Sequence, residues 1–401
     1  MRGTIHKITC NLLALVVAAV VFGGFGGYAK AGDVVVSEWE IPLFSCLTGP
    51  VASAGESFSW AANRAAREIT AAGGIAGKPA KILHLDTGIS PEKAVAEMAK
   101  IADTALAALG PQPEPCIMAV GPIAMRKGLF IMTATTVHSY ASKYFPWSLS
   151  WWPPARQFMG VPAEAWAREQ PEMKRVVQFV EMIYCWPEAA EAHRQGLESQ
   201  GVTVLKQIEI PTDAITFGPI VARGLAQKPD GFVITTFGDK TAKIILELKK
   251  HGWKDMSKVF IYVTADDVPL YTIGGKALDG CYIYNSINPN CTNPRWLSFV
   301  EDYKADHSGI YPFSLATNYY DCVYMVKEAI EKTGVTGDPA KLAKERKKIA
   351  DYCRNIKDFK GINNTWSIKD GVPSNKQVYL FQIQGGQKKL VKALIMKSLL
   401  K

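Results

Sequence analysis

The 401-residue sequence contains no CxxC, no HExxH and no GxSxG, and each absence removes a class of chemistry. Its six histidines, His6, His84, His138, His193, His251 and His307, lie far apart, so no zinc-ligand spacing is spelled out and neither a metal nor another cofactor is expected. Without the strained serine elbow, a secreted α/β hydrolase has no visible nucleophile and is the weakest reading of the chain. No basic stripe interleaved with stacking aromatics runs through it. The formal net charge of +9 therefore reads as solvated helix faces, such as Lys341 to Lys348, and no nucleic-acid partner is expected.

Long apolar runs are also scarce. Leu12 to Phe25 is too short and too rich in glycine for a comfortable membrane span. Preceded by Arg2 and Lys7 and followed by Ala29-Lys30-Ala31, it reads as a secretory leader of residues 1–31, cleaved before Gly32. Loss of those three basic residues lowers the net charge to +6. Export places the protein outside the cytoplasm, where some of the seven remaining cysteines could pair, and Cys281 with Cys291, around a turn-rich stretch, is the best pair.

What is present is a strand-helix beat in about 370 residues, more than one core usually holds, so two lobes are expected. The apolar share of 48% and charged share of 21% belong to a globular chain. Ala62, Ala65, Ala66 and Ile69 recur at helical intervals, and Gly73-Gly74 stops that helix. Lys81 to Asp86 reads as a strand, and Ser90-Pro91-Glu92 as the capped start of the next helix. A second series runs from the strand Lys174–Met182 through the strands Val202–Ile210, Pro229–Val233 and Val259–Thr264. Helices are expected over Pro187–Gln200, Ala214–Ala226 and Asp239–His251, and later over Asn293–His307, Leu315–Lys332 and Ala340–Arg354. Val378–Gln384 reads as the last strand.

Leu47-Thr48-Gly49-Pro50, the helix ending in AREITAAGGIAGK, then Asp86 and SPEKAV resemble in order and spacing the opening of type I periplasmic solute-binding proteins, in particular the branched-chain amino-acid ABC-transporter class. The resemblance covers nearly the whole chain after the leader. It implies an α/β fold of two doubly wound lobes joined by three crossovers, with residues 32–152 and 286–371 in one lobe and 153–285 and 372–401 in the other. It also implies a non-catalytic monomer that captures a small ligand and hands it to a membrane ABC permease; a ligand sensor for a signalling partner is the alternative on the same fold.

The resemblance names site positions too. Thr48 lies in the first strand-to-helix loop, and Glu114 falls where the class has a serine holding a ligand carboxylate. Thr133, Ala134 and Thr135 fall at a strand end that holds the ligand's polar head. Trp152 lies at the first crossover, where it either faces the cleft or seals the hinge as core. Tyr184, Trp186 and Phe237 are aromatic positions at the cleft edge; the chain reads Cys185-Trp186-Pro187 where the class usually has Tyr-Gly. Asp266 or Asp267 could meet a ligand ammonium, or cap a helix. An acid at 114 disfavours a ligand carboxylate, so an aromatic, apolar or cationic solute is expected, with branched-chain amino acids as the alternative.

Overall fold

The computed structural model describes residues 33–49, 51–137, 143–183, 186–374 and 377–396. The expected leader 1–31 and the site position Tyr184 lie outside them. Among the described residues no helix is long and apolar enough to cross a membrane.

Two twisted sheets organise the chain. The first is all parallel, in the order β2-β1-β3-β4-β5, from β1 (Trp39–Ser45), β2 (Ala80–Asp86), β3 (Ala107–Leu109), β4 (Phe130–Thr133) and β5 (Ser148–Ser150). β3, β4 and β5 are buried on both faces, as parallel strands covered by helices must be. The helix α1 (Ala52–Ala71) buries Phe58, Ala62, Ala65, Ala66 and Ile69 along one stripe, against the long helix Ser314–Thr333. It ends where Gly73 and Gly74 take positive φ; a Cβ on Gly74 would stand 2.2 Å from the Lys78 carbonyl oxygen, so only glycine fits. The Ser90 hydroxyl accepts the Lys93 N–H and caps α2 (Pro91–Ile101).

The second sheet has seven strands in the order β15-β14-β10-β9-β8-β6-β7. β6 (Arg175–Glu181), β7 (Thr203–Ile210), β8 (Gly231–Thr235), β9 (Val259–Ile261) and β10 (Tyr282–Asn285) pair in parallel. The chain passes between the lobes three times: after β5, after β10, and between β13 (Val372–Ser374) and β14 (Gln377–Gln384). β14 then joins the second sheet antiparallel to β10. A small sheet of β11 (Phe359–Lys360), β12 (Thr365–Lys369) and β13 is held to the first lobe by Asp321, which accepts the Ile362 N–H at 2.7 Å.

The structure corrects three expectations. β9 stops at Ile261, three residues early, because Val263–Ala265 turns as a 3-10 helix that presents Asp266 and Asp267. β14 is not the last strand: β15 (Gln387–Ile395) pairs with it along its length. Its sequence, QKKLVKALI, carries the lysines of an exposed edge strand, which hid it. Finally, Cys281 and Cys291 are free thiols. β10 carries the chain away from Cys281 at roughly 3.3 Å per residue, leaving Cys281 fully buried and Cys291 beside the Ile362 carbonyl beyond the other end of the strand.

Candidate functional site

Between the two lobes, at the carboxyl ends of the strands, lies a narrow cleft of about 70 Å³, partly open to solvent. Glu114, Ala134 and Trp152 line it from the first lobe, and Trp186 and Phe237 from the second. Trp186 and Phe237 meet edge to face at 4.6 Å between ring centroids, and Tyr262 stands 6.0 Å from Trp186. Phe58, stacked on Tyr319 at 4.6 Å, closes the first-lobe side. The walls are thus mainly aromatic.

Glu114 is the only charged residue among the described residues lining this cleft. It opens α3 (Glu114–Lys127), where the helix N-terminus favours a negative charge, yet only 4% of it is exposed. The Thr135 hydroxyl donates to its Oε1 at 2.7 Å. Ser150, at the end of β5, in turn accepts the N–H groups of Thr135 at 3.1 Å and Trp152 at 3.3 Å, so one hydroxyl fixes the strand end and the tryptophan together.

The remaining sequence positions lie elsewhere. Thr133 is fully buried within β4 and donates its hydroxyl to the Leu149 carbonyl, a tie between strands. Thr48 does not line the cleft; its hydroxyl donates to Asp86 Oδ2 at 2.7 Å. Burial raises the Asp86 pKa, but the Thr48 hydroxyl and the N–H groups of Gly88, Thr48 and Leu47 outweigh it and hold the carboxylate below its usual range. That clamp positions the loop bearing Ile89, which does line the cleft.

Asp266 and Asp267 have separate tasks. Asp267 caps the helix Val268–Gly274 through the Leu270 N–H. Burial, with Asp266 and Asp239 nearby, pushes its pKa up to about 8. Asp266 is 1% exposed and paired with Lys388 of β15 at 2.6 and 2.8 Å. Tyr271 donates to it at 2.5 Å and the Asn285 amide at 2.7 Å. Every acceptor direction of this carboxylate therefore faces a protein donor. Sequence reading missed Lys388, which lies 122 residues away, and the cleft residues Phe58, Gln112, Tyr262 and Leu315. Gln112 and Tyr262 follow strands, a positional signal that was available; Phe58, inside α1, and Leu315, in the first turn of the helix Ser314–Thr333, carried none.

Two α/β lobes facing each other across a cleft at their strand ends define the class of two-lobed solute-binding proteins. The periplasmic binding protein family model matches residues 38–388, and the chain belongs to that family. Among solved structures it is similar to a leucine-binding protein of Thermotoga maritima, with 21% identity, 89% of this chain and 98% of that one covered, and a TM-score of 0.75. It is similar to the branched-chain amino acid transporter substrate-binding protein of Streptococcus pneumoniae in complex with isoleucine, at 17% identity, 90% and 100% coverage and a TM-score of 0.75. A third is the solute-binding protein of an ABC transporter from Rhodopseudomonas palustris in complex with 3,4-dihydroxybenzoic acid, at 17% identity, 90% and 99% coverage and a TM-score of 0.75. At these identities the likeness is one of fold. Among curated proteins no sequence match was found.

Proposed function

We propose that this solute-binding protein works outside the cytoplasm as a monomer without catalysis, takes a small organic cation or uncharged solute into the aromatic cleft, and delivers it to a membrane ABC permease. The leader 1–31 directs export, and the closing bodies are residues 32–152 with 286–371 and 153–285 with 372–401. The observation that carries the ligand class is Glu114, the only charge among the described residues lining the cleft, set among Trp152, Trp186 and Phe237. A carboxylate in an aromatic-lined cleft suits an ammonium or amidinium group, which gains from both. The structural neighbours named for leucine, isoleucine or dihydroxybenzoic acid concern ligands that carry a carboxylate. In this cleft such a group would meet Glu114, at a cost on the order of several kcal/mol, against about 8 kcal/mol for micromolar binding as a whole.

A solute that touches both lobes across this narrow cleft draws them together, so binding is expected to compact the protein. Thermal-shift screening of the mature chain against quaternary ammonium compounds, primary amines, guanidines, neutral amides, amino acids and aromatic acids comes first. A cation or neutral amide is expected to raise the melting temperature by mass action, and the same compound to lower the radius of gyration in small-angle scattering. Stabilisation by carboxylates alone, or a hit that leaves the scattering profile unchanged, would sink the proposal.

A further inference from the structure

A second cavity, of about 350 Å³, shares no lining residue with the aromatic cleft and differs from it in charge. The first lobe contributes Lys304, Ile310 and Tyr311, from the end of the helix Pro294–Asp306 and the loop that follows it. Tyr271, Phe381 and Lys388 come from the second lobe. Its described lining holds two lysines and no acid. Lys388 is already neutralised by Asp266 behind the wall. Lys304 is half-buried, lies 5.1 Å from the centroid of the Tyr311 ring, and has no ion-pair partner among the described residues. The cavity therefore keeps one uncompensated positive charge, set against apolar walls that include Ile287, Ile310 and Phe381.

We infer that this cavity is a second binding site, for a small organic anion with an apolar body, such as an aromatic carboxylate. The carboxylate meets Lys304, and the ring lies between Tyr311 and the second-lobe aromatics. Both lobes supply the walls, so an occupant touches both. The site does not depend on what fills the aromatic cleft.

Isoleucine side chains mark the two cavities separately: Ile89 lines the cleft, and Ile287 and Ile310 line the second cavity. Methyl-labelled isoleucine NMR spectra of the full mature chain, titrated with benzoate and with benzamide as the uncharged control, read both at once. Benzoate is expected to shift Ile287 and Ile310 saturably and leave Ile89 in place, with benzamide weaker by about tenfold, the scale of one charge-assisted hydrogen bond. Lys304→Gln is expected to weaken benzoate by a similar factor and Lys304→Arg to retain it, while the rest of each spectrum reports that the variant is folded. Shifts confined to Ile89, no saturable shift, or equal binding of benzoate and benzamide would overturn the inference. Of these results only shifts confined to Ile89 would also count against a cation in the aromatic cleft, by placing a carboxylate beside Glu114.

Discussion

Lys388→Met is expected to destabilise the protein by about 3–5 kcal/mol, the range for leaving one half of a buried ion pair uncompensated. Asp266 is 1% exposed and the Lys388 side chain 10% exposed, so the carboxylate stays largely out of water when the ammonium is lost. Tyr271 and Asn285 would still donate to the carboxylate, but two neutral donors do not balance a buried charge. Asn285 also accepts the Ile287 N–H at the start of the second crossover, so the loss would loosen a segment that links the lobes. The double variant Asp266→Asn, Lys388→Met removes both charges and is expected to recover most of the loss. Urea unfolding at neutral pH checks both statements. A single variant within about 1 kcal/mol of the parent, the range of an exposed pair, would show that the pair is not buried as described.

The second large effect is a dependence on pH that the parent conceals. His193 is fully buried, donates to or accepts from the Tyr284 hydroxyl at 2.8 Å through Nε2, and has no partner at Nδ1 among the described residues. Protonation would make both nitrogens donors with nowhere for the second to point, and burial lowers the pKa to about 3. Since the unfolded chain binds this proton near pH 6.5 and the folded one does not, His193 makes stability fall as pH drops below that value. Asp267, raised to about 8, works in the opposite sense: the folded state holds its proton more tightly, so its contribution is lost as pH rises from about 4 to 8. Between about pH 4 and 6.5 the two slopes, each about 1.4 kcal/mol per unit, cancel. His307 does not disturb this window. Burial lowers its pKa, but Glu56 and the Tyr303 carbonyl outweigh that and raise it, so its contribution is complete below 6.5 and is lost only at higher pH.

Asp267→Asn keeps a good helix cap while removing the acid. His84, whose pKa burial also lowers, adds the same loss to parent and variant below pH 6.5, and from pH 6.5 to 4 the variant is expected to lose on the order of 3 kcal/mol more than the parent. Chemical unfolding at several pH values reads this directly; parallel profiles for parent and variant would rule out the assignment of a raised pKa to Asp267.

The features written locally were legible in the sequence. Gly73-Gly74 and Ser90-Pro91 carry their own backbone requirements, and the buried parallel strands show as short apolar runs, so the beat of strands and helices and the two lobes could be read directly. Features set by distant partners were not legible. Asp266 and Asp267 are neighbours of the same type, and only the fold gives one a helix N-terminus and the other a lysine from the far end of the chain. β15 was hidden because an edge strand rich in lysine has the composition of a surface segment. The Cys281–Cys291 pairing failed because closeness in sequence says nothing of direction, and β10 runs between them. Trp152 shows both expected characters at once, 6% exposed within the core and still on the cleft wall.

In the solute-binding class resembled here, a serine would meet a ligand carboxylate and an acid a ligand ammonium. On that resemblance Glu114 is expected at the first position, and Asp266, expected at the second, is already paired with Lys388. A zwitterionic amino acid is therefore expected to find a like charge at one end and an occupied partner at the other. Calorimetry with leucine, against the parent and Glu114→Ser, tests this most directly. Leucine is expected to give no binding heat with the parent, while an organic cation identified by thermal shift binds the parent and is weakened by Glu114→Ser. Micromolar binding of leucine to the parent, undiminished in Glu114→Ser, would contradict it.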